Sequence, residues 1–230
     1  MVQATTPDSS YTWLHFVGMS CEEGRRWVEE YLRYSEVADM NSECLVLLRR
    51  RRFEEGAAHL RRFRERVDDA RNAHPSIRAI LDRWYHAVDG YYWYCMEAYD
   101  TAERAMIHAH EAVATAIEHQ PCLLPLANHC HEFRLHRARI ARNLHRWPEM
   151  WDHVAEVRGM FQGERPFCVL SDGTVIKLGR IRNFYDSLGS LSEDERASVA
   201  YVLDEQTRMR EFDRFVQGMC RLPGFVIQYP

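Results

Sequence analysis

Glycine and proline are both scarce in this chain, with 11 and 8 residues among 230. Folds made of β-strands need many turns, which these two residues favour, so their scarcity favours helices. Long apolar runs are also missing, since no stretch approaches the roughly 18 residues of a membrane-spanning helix. The N-terminus lacks the basic segment followed by an apolar one that marks a signal peptide. We therefore expect neither a membrane span nor secretion.

The cysteines are not arranged in paired motifs. There are seven of them, and they form no Cys-x-x-Cys pair. An odd number without such pairs argues against a disulfide framework and against a zinc ribbon. We interpret most of them as buried free thiols in a reducing compartment, so a cytoplasmic protein is expected.

Neither charge nor local motifs indicate a nucleic acid or a known catalytic centre. The net charge of −4 and the isoelectric point near 6.3 give no general attraction for polyanions. The basic run Arg49–Arg52 is followed by Glu54 and Glu55, a pattern typical of salt bridges on a solvated helix face. Glycine-rich phosphate loops, a Gly-x-Ser-x-Gly motif and paired aspartates are missing. No nucleic-acid partner is expected.

The strongest pattern is a repeat of about 47 residues whose units begin at Phe53, Tyr99 and Trp147. Small or apolar residues recur at offsets of 3, 7, 10 and 14 residues from each origin, and at 17 in two units. Steps that alternate between three and four residues keep side chains on one face of an α-helix. The pattern predicts an inward stripe of Gly56, Leu60, Phe63, Val67 and Ala70; of Ala102, Met106, Ala109, Val113 and Ala116; and of Met150, Val154, Val157 and Phe161.

A second helical segment precedes each origin, at roughly 42–51, 76–95 and 123–144. Pro75 and Pro121 each lie 22 residues after an origin and are expected to end the preceding helix. Only short connections join the two helices of each unit, which predicts antiparallel hairpins. The expected fold class is therefore all-α.

We expect three regions: a disordered tail over 1–10, an array of helical hairpins over 11–162, and an extension over 163–230 that packs on the array. Residues 167–177 contain an Asp-Gly pair suited to a tight turn, so either a small β-hairpin or an extended loop is expected there. Two capping boxes should open helices, at Ser20 with Glu23 and at Ser192 with Glu195.

These hairpins resemble tetratricopeptide repeats, which carry small residues and aromatics at set positions of two helices. The second unit matches best, through Gly90, Trp93, Tyr99, Ala102, Ala109 and Pro121; Phe53, Gly56, Ala138 and Trp147 match in the others. The family period is about 34 residues, so these helices are expected to be longer than usual. Longer-helix relatives of this kind occur in bacterial regulators and sensor proteins. The resemblance covers about half of the chain.

The resemblance implies a concave groove lined by the first helix of each hairpin. Aromatics beside arginines there would suit a protein segment or peptide with a carboxylate or aromatic anchor. We expect a non-catalytic binding scaffold without a cofactor, and homodimerisation is left open. The alternative for each residue is a core or solvated position. The candidate groove residues are Trp84, Tyr91, Tyr94, Glu132, Arg139, Arg142 and Asn143.

A metal site is the alternative function. His129, Glu132 and His136 have the spacing of one helical face, the arrangement by which a helix offers ligands to iron, manganese or zinc. Glu103 and His110 are seven residues apart on the neighbouring hairpin and could complete a site for an oxidase or hydrolase. Ordinary surface histidines are the competing interpretation.

Overall fold

The structure is a computed structural model that describes residues 12–220. It is predominantly helical with one small β-hairpin, which confirms the expected fold class. The predicted tail over 1–10 and the last residues of the predicted extension, from 221 onward, lie outside the described residues. None of the helices in the described range is both long and apolar enough to cross a bilayer.

The described chain begins with two short helices and continues with three long hairpins. These elements are α1 (Thr12–Ser20), α2 (Glu22–Tyr31), α3 (Ser35–Arg49), α4 (Phe53–Asp69), α5 (Pro75–Cys95), α6 (Tyr99–His119), α7 (Cys130–Asn143) and α8 (Trp147–Gln162). A 3-10 helix, Pro121–His129, precedes α7. The extension contains β1 (Cys168–Val169), β2 (Val175–Ile176), α9 (Leu178–Ser187), α10 (Glu193–Ser198), α11 (Ala200–Leu203) and α12 (Glu205–Cys220).

The three hairpins α3–α4, α5–α6 and α7–α8 are joined by turns of the same geometry. Each turn has one non-glycine residue at φ 59°, namely Arg51, Glu97 or His145. Each second helix starts at the origin residue of its unit. The same backbone hydrogen bond spans every turn, from Arg52 N to Leu47 O at 3.0 Å, from Ala98 N to Trp93 O at 2.9 Å and from Arg146 N to Ala141 O at 2.8 Å. The periodicity therefore marks a repeated structural unit.

The inward stripe lies in the hydrophobic core as the spacing predicts. Its residues are buried in all three second helices, whereas the origins Phe53, Tyr99 and Trp147 are half-buried. At Gly90 the helices α5 and α6 approach closely, because a Cβ there would lie 2.5 Å from Met106 Cε and 3.2 Å from the Ala102 carbonyl oxygen. This close approach explains the small residue at that position.

Several boundaries differ from the sequence prediction. Helix α2 is capped by the Cys21 thiol, which accepts from Gly24 N at 3.2 Å, while the Ser20 hydroxyl turns back to Val17 O. The expected capping box at Ser20 is therefore wrong. Pro75 begins α5 instead of closing α4, because proline fits the first helical position, where no amide donor is needed.

The C-terminal extension contains both confirmed and corrected features. The β-hairpin exists, with Cys168 paired with Ile176 and Val169 with Val175. The Ser192–Glu195 capping box is present. The sequence predicts one helix from this capping box to about Gly218, but the chain forms three shorter helices there, α10, α11 and α12. Asp204 has an extended backbone and accepts from Thr207 N at 2.7 Å, so it starts a new helix and interrupts the old one.

Candidate functional site

The first helices of all three hairpins surround one cavity of about 380 Å³, which we call the central cavity. Each helix contributes polar side chains to it. They include Asn41 and Arg49 from α3, Arg83 and Tyr91 from α5, and Glu132 and Arg139 from α7. Its walls are completed by apolar residues such as Leu45, Trp84, Val88 and Phe133. This is the place where the repeat resemblance puts a groove.

Two further cavities continue the central one in opposite directions. A turn-side cavity of about 510 Å³ shares Arg49 and Tyr91 with it and reaches Tyr94 and Asn143 near the hairpin turns. A capped cavity of about 470 Å³ shares Glu132 with it and is covered by residues of α10–α12, such as Tyr201. The three cavities form a groove that follows α7 along its length.

The aromatic candidates occupy different depths of this groove. Trp84 is 8% exposed and its indole nitrogen donates to the Tyr31 hydroxyl at 3.2 Å, so most of the ring belongs to the core. Tyr91 and Tyr94 are half-buried, and their rings are stacked with centroids 6.4 Å apart. The Tyr91 ring also meets His136 edge-on. The tyrosines thus present the accessible aromatic surface.

Asn143 connects α7 to the second hairpin. Its amide nitrogen donates to the Tyr94 hydroxyl at 3.1 Å and to the Tyr99 hydroxyl at 3.3 Å. Its side-chain oxygen accepts from Arg142, with Nη2 at 3.1 Å. Arg142 and Asn143 therefore act together at the turn-side end, where they orient the tyrosines.

Glu132 lies between the central and capped cavities. Its side chain is 44% exposed because it lines both cavities, and the exposed part faces these cavities inside the protein. Burial alone would raise the pKa of Glu132, but the nearby His129, which also donates a hydrogen bond to the carboxylate, outweighs that effect together with His131 and Arg83 and holds the pKa below its usual range. The carboxylate accepts from His129 Nδ1 at 3.2 Å. Glu132 is consequently an anion in the groove.

His136 is a neutral group in this environment. Burial lowers its pKa to about 4, and the charge of Arg139 adds to that effect. Arg139 Nη1 lies 3.5 Å from His136 Nδ1, which suits a guanidinium facing the unprotonated ring nitrogen. Burial also lowers the pKa of Arg139. In the central cavity, the wall formed by α7 therefore combines the carboxylate of Glu132, the neutral imidazole of His136 and the guanidinium of Arg139.

The residues proposed for a metal are only partly brought together. Within residues 12–220, the one group of three side chains whose ligand atoms all lie within 4.8 Å is Glu103, Glu149 and His153. Glu103 is the member that the sequence pattern included. His129 pairs with Glu132, while His136 faces the central cavity.

The remaining metal candidates are surrounded by arginines. Arg137 donates to Glu103 Oε1 from both Nε and Nη2, at 3.1 and 3.0 Å. Burial lowers the pKa of His110 to about 4, and the charges of Arg134 and Arg137 add to that effect. These cations oppose a metal ion near Glu103 and His110.

Two buried polar residues were not predicted from the sequence. Arg83 lines the central cavity and is 3% exposed, and His153 is 6% exposed with no hydrogen-bond partner for Nε2 among the described residues. A charged residue at a core-facing helical position is the signal that could have identified Arg83. Arg83 was not predicted, because the neighbouring Trp84 was the groove candidate in that helix segment.

Comparison with known proteins adds no relative, since no family model, no curated protein and no solved structure matches the chain.

Proposed function

We propose that this protein is a non-catalytic scaffold of tetratricopeptide-like type that binds a segment of another protein in the groove along α3, α5 and α7. One observation carries the proposal: the first helix of every hairpin contributes to a single cavity, as a peptide-binding helical repeat requires. We expect the bound segment to contact four groove residues, namely Tyr91, Tyr94, Arg139 and Asn143.

The chemistry of the groove favours a segment with acidic and aromatic side chains. Arg49 and Arg139 supply guanidinium groups, which bind carboxylates through charge-assisted hydrogen bonds. Tyr91 and Tyr94 offer ring surface for an aromatic or aliphatic side chain. Half-buried aromatics and arginines are the residue types that carry most of the energy in protein interfaces.

Selection of peptides from a random display library on the immobilised protein tests the proposal. We expect selected peptides to be enriched in Asp or Glu next to an aromatic residue. Replacement of Arg139 with alanine should weaken the best peptide by about tenfold, the effect of losing a hydrogen bond to a charged group.

Arg158→Ala is the matched control, because Arg158 is exposed on α8 and lines none of the three cavities. It should leave affinity unchanged. Equal affinities of the Arg139→Ala variant and the wild type would show that the groove is not the binding surface.

A metal site is the second candidate because of one arrangement, Glu103, Glu149 and His153, at which a metal ion would have to displace Arg137 from Glu103. His153 Nε2 lies 3.9 Å from Glu149 Oε1 and has no hydrogen-bond partner among the described residues. Elemental analysis of the purified protein tests this candidate. Metal content far below one ion per chain after incubation with Fe²⁺, Mn²⁺ or Zn²⁺ would dismiss it, both here and at His129, Glu132 and His136.

A further inference from the structure

Arg83 carries a buried charge, and two of its three guanidinium nitrogens lack a hydrogen-bond partner among the described residues. The residue is 3% exposed, and its Nε and Nη1 atoms have no hydrogen-bond partner in the described part of the chain. Its guanidinium carbon lies 4.0 Å from the centre of the Trp84 ring and 5.7 Å from that of Phe133. The two aromatic faces stabilise the cation, but they offer no hydrogen-bond acceptor of normal strength.

An unpaired buried cation is an unfavourable state for a folded protein. Arginine stays protonated even where burial lowers its pKa, as it does here. Buried charges are therefore found with a counter-ion and with hydrogen-bond acceptors. Glu132 is the acidic neighbour in the cavity, but its carboxylate accepts from His129, and no ion pair within 4.0 Å joins it to Arg83. A further anion beside Arg83 would therefore stabilise its buried charge.

The central cavity as a whole has an excess of positive charge. Arg49, Arg83 and Arg139 line it, against the single carboxylate of Glu132. His136 does not change the balance, because its depressed pKa leaves it neutral near pH 7. An anionic ligand would lower the electrostatic energy of this arrangement.

The walls and the volume limit the kind of anion. Leu45, Val88 and Phe133 give the cavity apolar surface beside its arginines. A volume of about 380 Å³ is in the range of small-molecule sites. Hydrated inorganic ions would leave that apolar surface unused.

We infer that the central cavity binds a small organic anion, whose carboxylate or phosphate head group lies against Arg83 and Arg139 and whose apolar body packs on Leu45 and Phe133. The anion would occupy the central part of the proposed peptide groove and share Arg139 with it, so the two ligands would compete there, while the turn-side cavity stays open. A bound anion of this kind would make the scaffold a sensor.

Calorimetric titration with simple aromatic probes tests the site. Phenyl phosphate and benzoate should bind the wild-type protein, whereas benzyl alcohol, which has the ring without the charge, should not. Arg83→Met should weaken the anionic probes by about tenfold or more, as expected for the loss of a charge-assisted hydrogen bond. Glu132→Gln should strengthen them, because it removes the opposing carboxylate.

Arg158→Met is the control and should bind the probes like wild type, since Arg158 is exposed on α8. Equal binding of benzyl alcohol, or unchanged affinity of Arg83→Met, would overturn the inference. Failure of both anions to bind wild-type protein would overturn it as well. If Arg83→Met does not fold, Arg139→Met carries the same expectation.

Two further measurements address the role of Arg83 and the source of the bound acid group. In anion-free buffer, Arg83→Met should melt at a higher temperature than wild type, because an apolar side chain replaces an uncompensated charge. A lower melting temperature together with retained probe binding would mean that Arg83 is only structural. Binding of a blocked Glu-Phe dipeptide without binding of phenyl phosphate or benzoate would assign the acid to a protein partner and contradict a free metabolite.

Discussion

His86 allows a sharp test of how this helical core responds to acid. The residue is half-buried on α5, and its Nδ1 is buried without a hydrogen-bond partner in the described chain. Burial lowers its pKa to about 4, and the charges of His108 and Arg64 add to that effect. In the unfolded chain the same ring has a pKa of about 6.5. Between these values the unfolded state binds a proton that the folded state does not.

The sign and size of the effect follow from proton linkage. Stability contributed by a neutral His86 is complete above about pH 6.5 and is lost as the pH falls from there towards 4. Each pKa unit corresponds to about 1.4 kcal/mol, so the full difference is about 3 kcal/mol at most. Near pH 5.5, and allowing for the partial exposure of the ring, we expect a loss of about 1 kcal/mol.

The experiment compares His86→Phe with wild type by urea unfolding at several pH values between about 7.5 and 4.5. Phenylalanine keeps an aromatic ring and cannot titrate, so the variant should lose less stability on acidification. His119→Phe is the control, because His119 is exposed at the end of α6, and it should show the wild-type slope. Identical slopes for His86→Phe and wild type would refute the linkage argument.

The other predictions concern packing and one buried hydrogen bond. Gly90→Leu should lower the free energy of unfolding by about 2 kcal/mol or more, because the new side chain would clash with Met106 and the Ala102 carbonyl. Gly179→Leu is the control and should change that free energy little, because Gly179 faces open space on α9. Thermal denaturation distinguishes the two, and equal melting temperatures would contradict the close approach of α5 and α6. Trp27→Phe should cost about 1–2 kcal/mol, because the Trp27 indole donates to Ser76 Oγ at 2.7 Å in the core; an unchanged midpoint in urea would show that this bond adds nothing.

The hairpins could be predicted because their signal is local. Alternating steps of three and four residues define one helix face, and the origins at Phe53, Tyr99 and Trp147 mark the first residue of each second helix. The inward stripe could be predicted without knowing which helices pack together, because its spacing depends on each helix alone. The Ser192–Glu195 capping box was equally readable, because both of its hydrogen bonds lie within four residues.

The errors arise where a neighbouring helix end or a distant contact overrides a local pattern. Ser20 and Glu23 match a capping box, but Ser20 ends α1, so Cys21 takes over the cap of α2. The charge of Arg83 could not be recognised as unpaired from the sequence, because its acidic neighbour comes from α7, far along the chain. The capped cavity was also unforeseen, since it exists only where α10–α12 return to the array.

Among the groove candidates, position on a helix face was predictable, but accessibility was not. Tyr91, Glu132 and Arg139 line the central cavity together, as their helix positions suggested. Trp84 shares that face but is held in the core by its bond to Tyr31, which comes from α2. The contact between α2 and α5 thus helps to keep the Trp84 ring in the core, while the Tyr91 ring stays half-buried.

Hydrogen-exchange footprinting of a display-selected peptide tests directly whether the first helices form the binding groove. If they do, the bound peptide slows exchange at residues 42–49, 84–94 and 132–143, in α3, α5 and α7. Slowed exchange confined to α4, α6 and α8, or to residues 163–220, would place the binding surface elsewhere and contradict the proposed function.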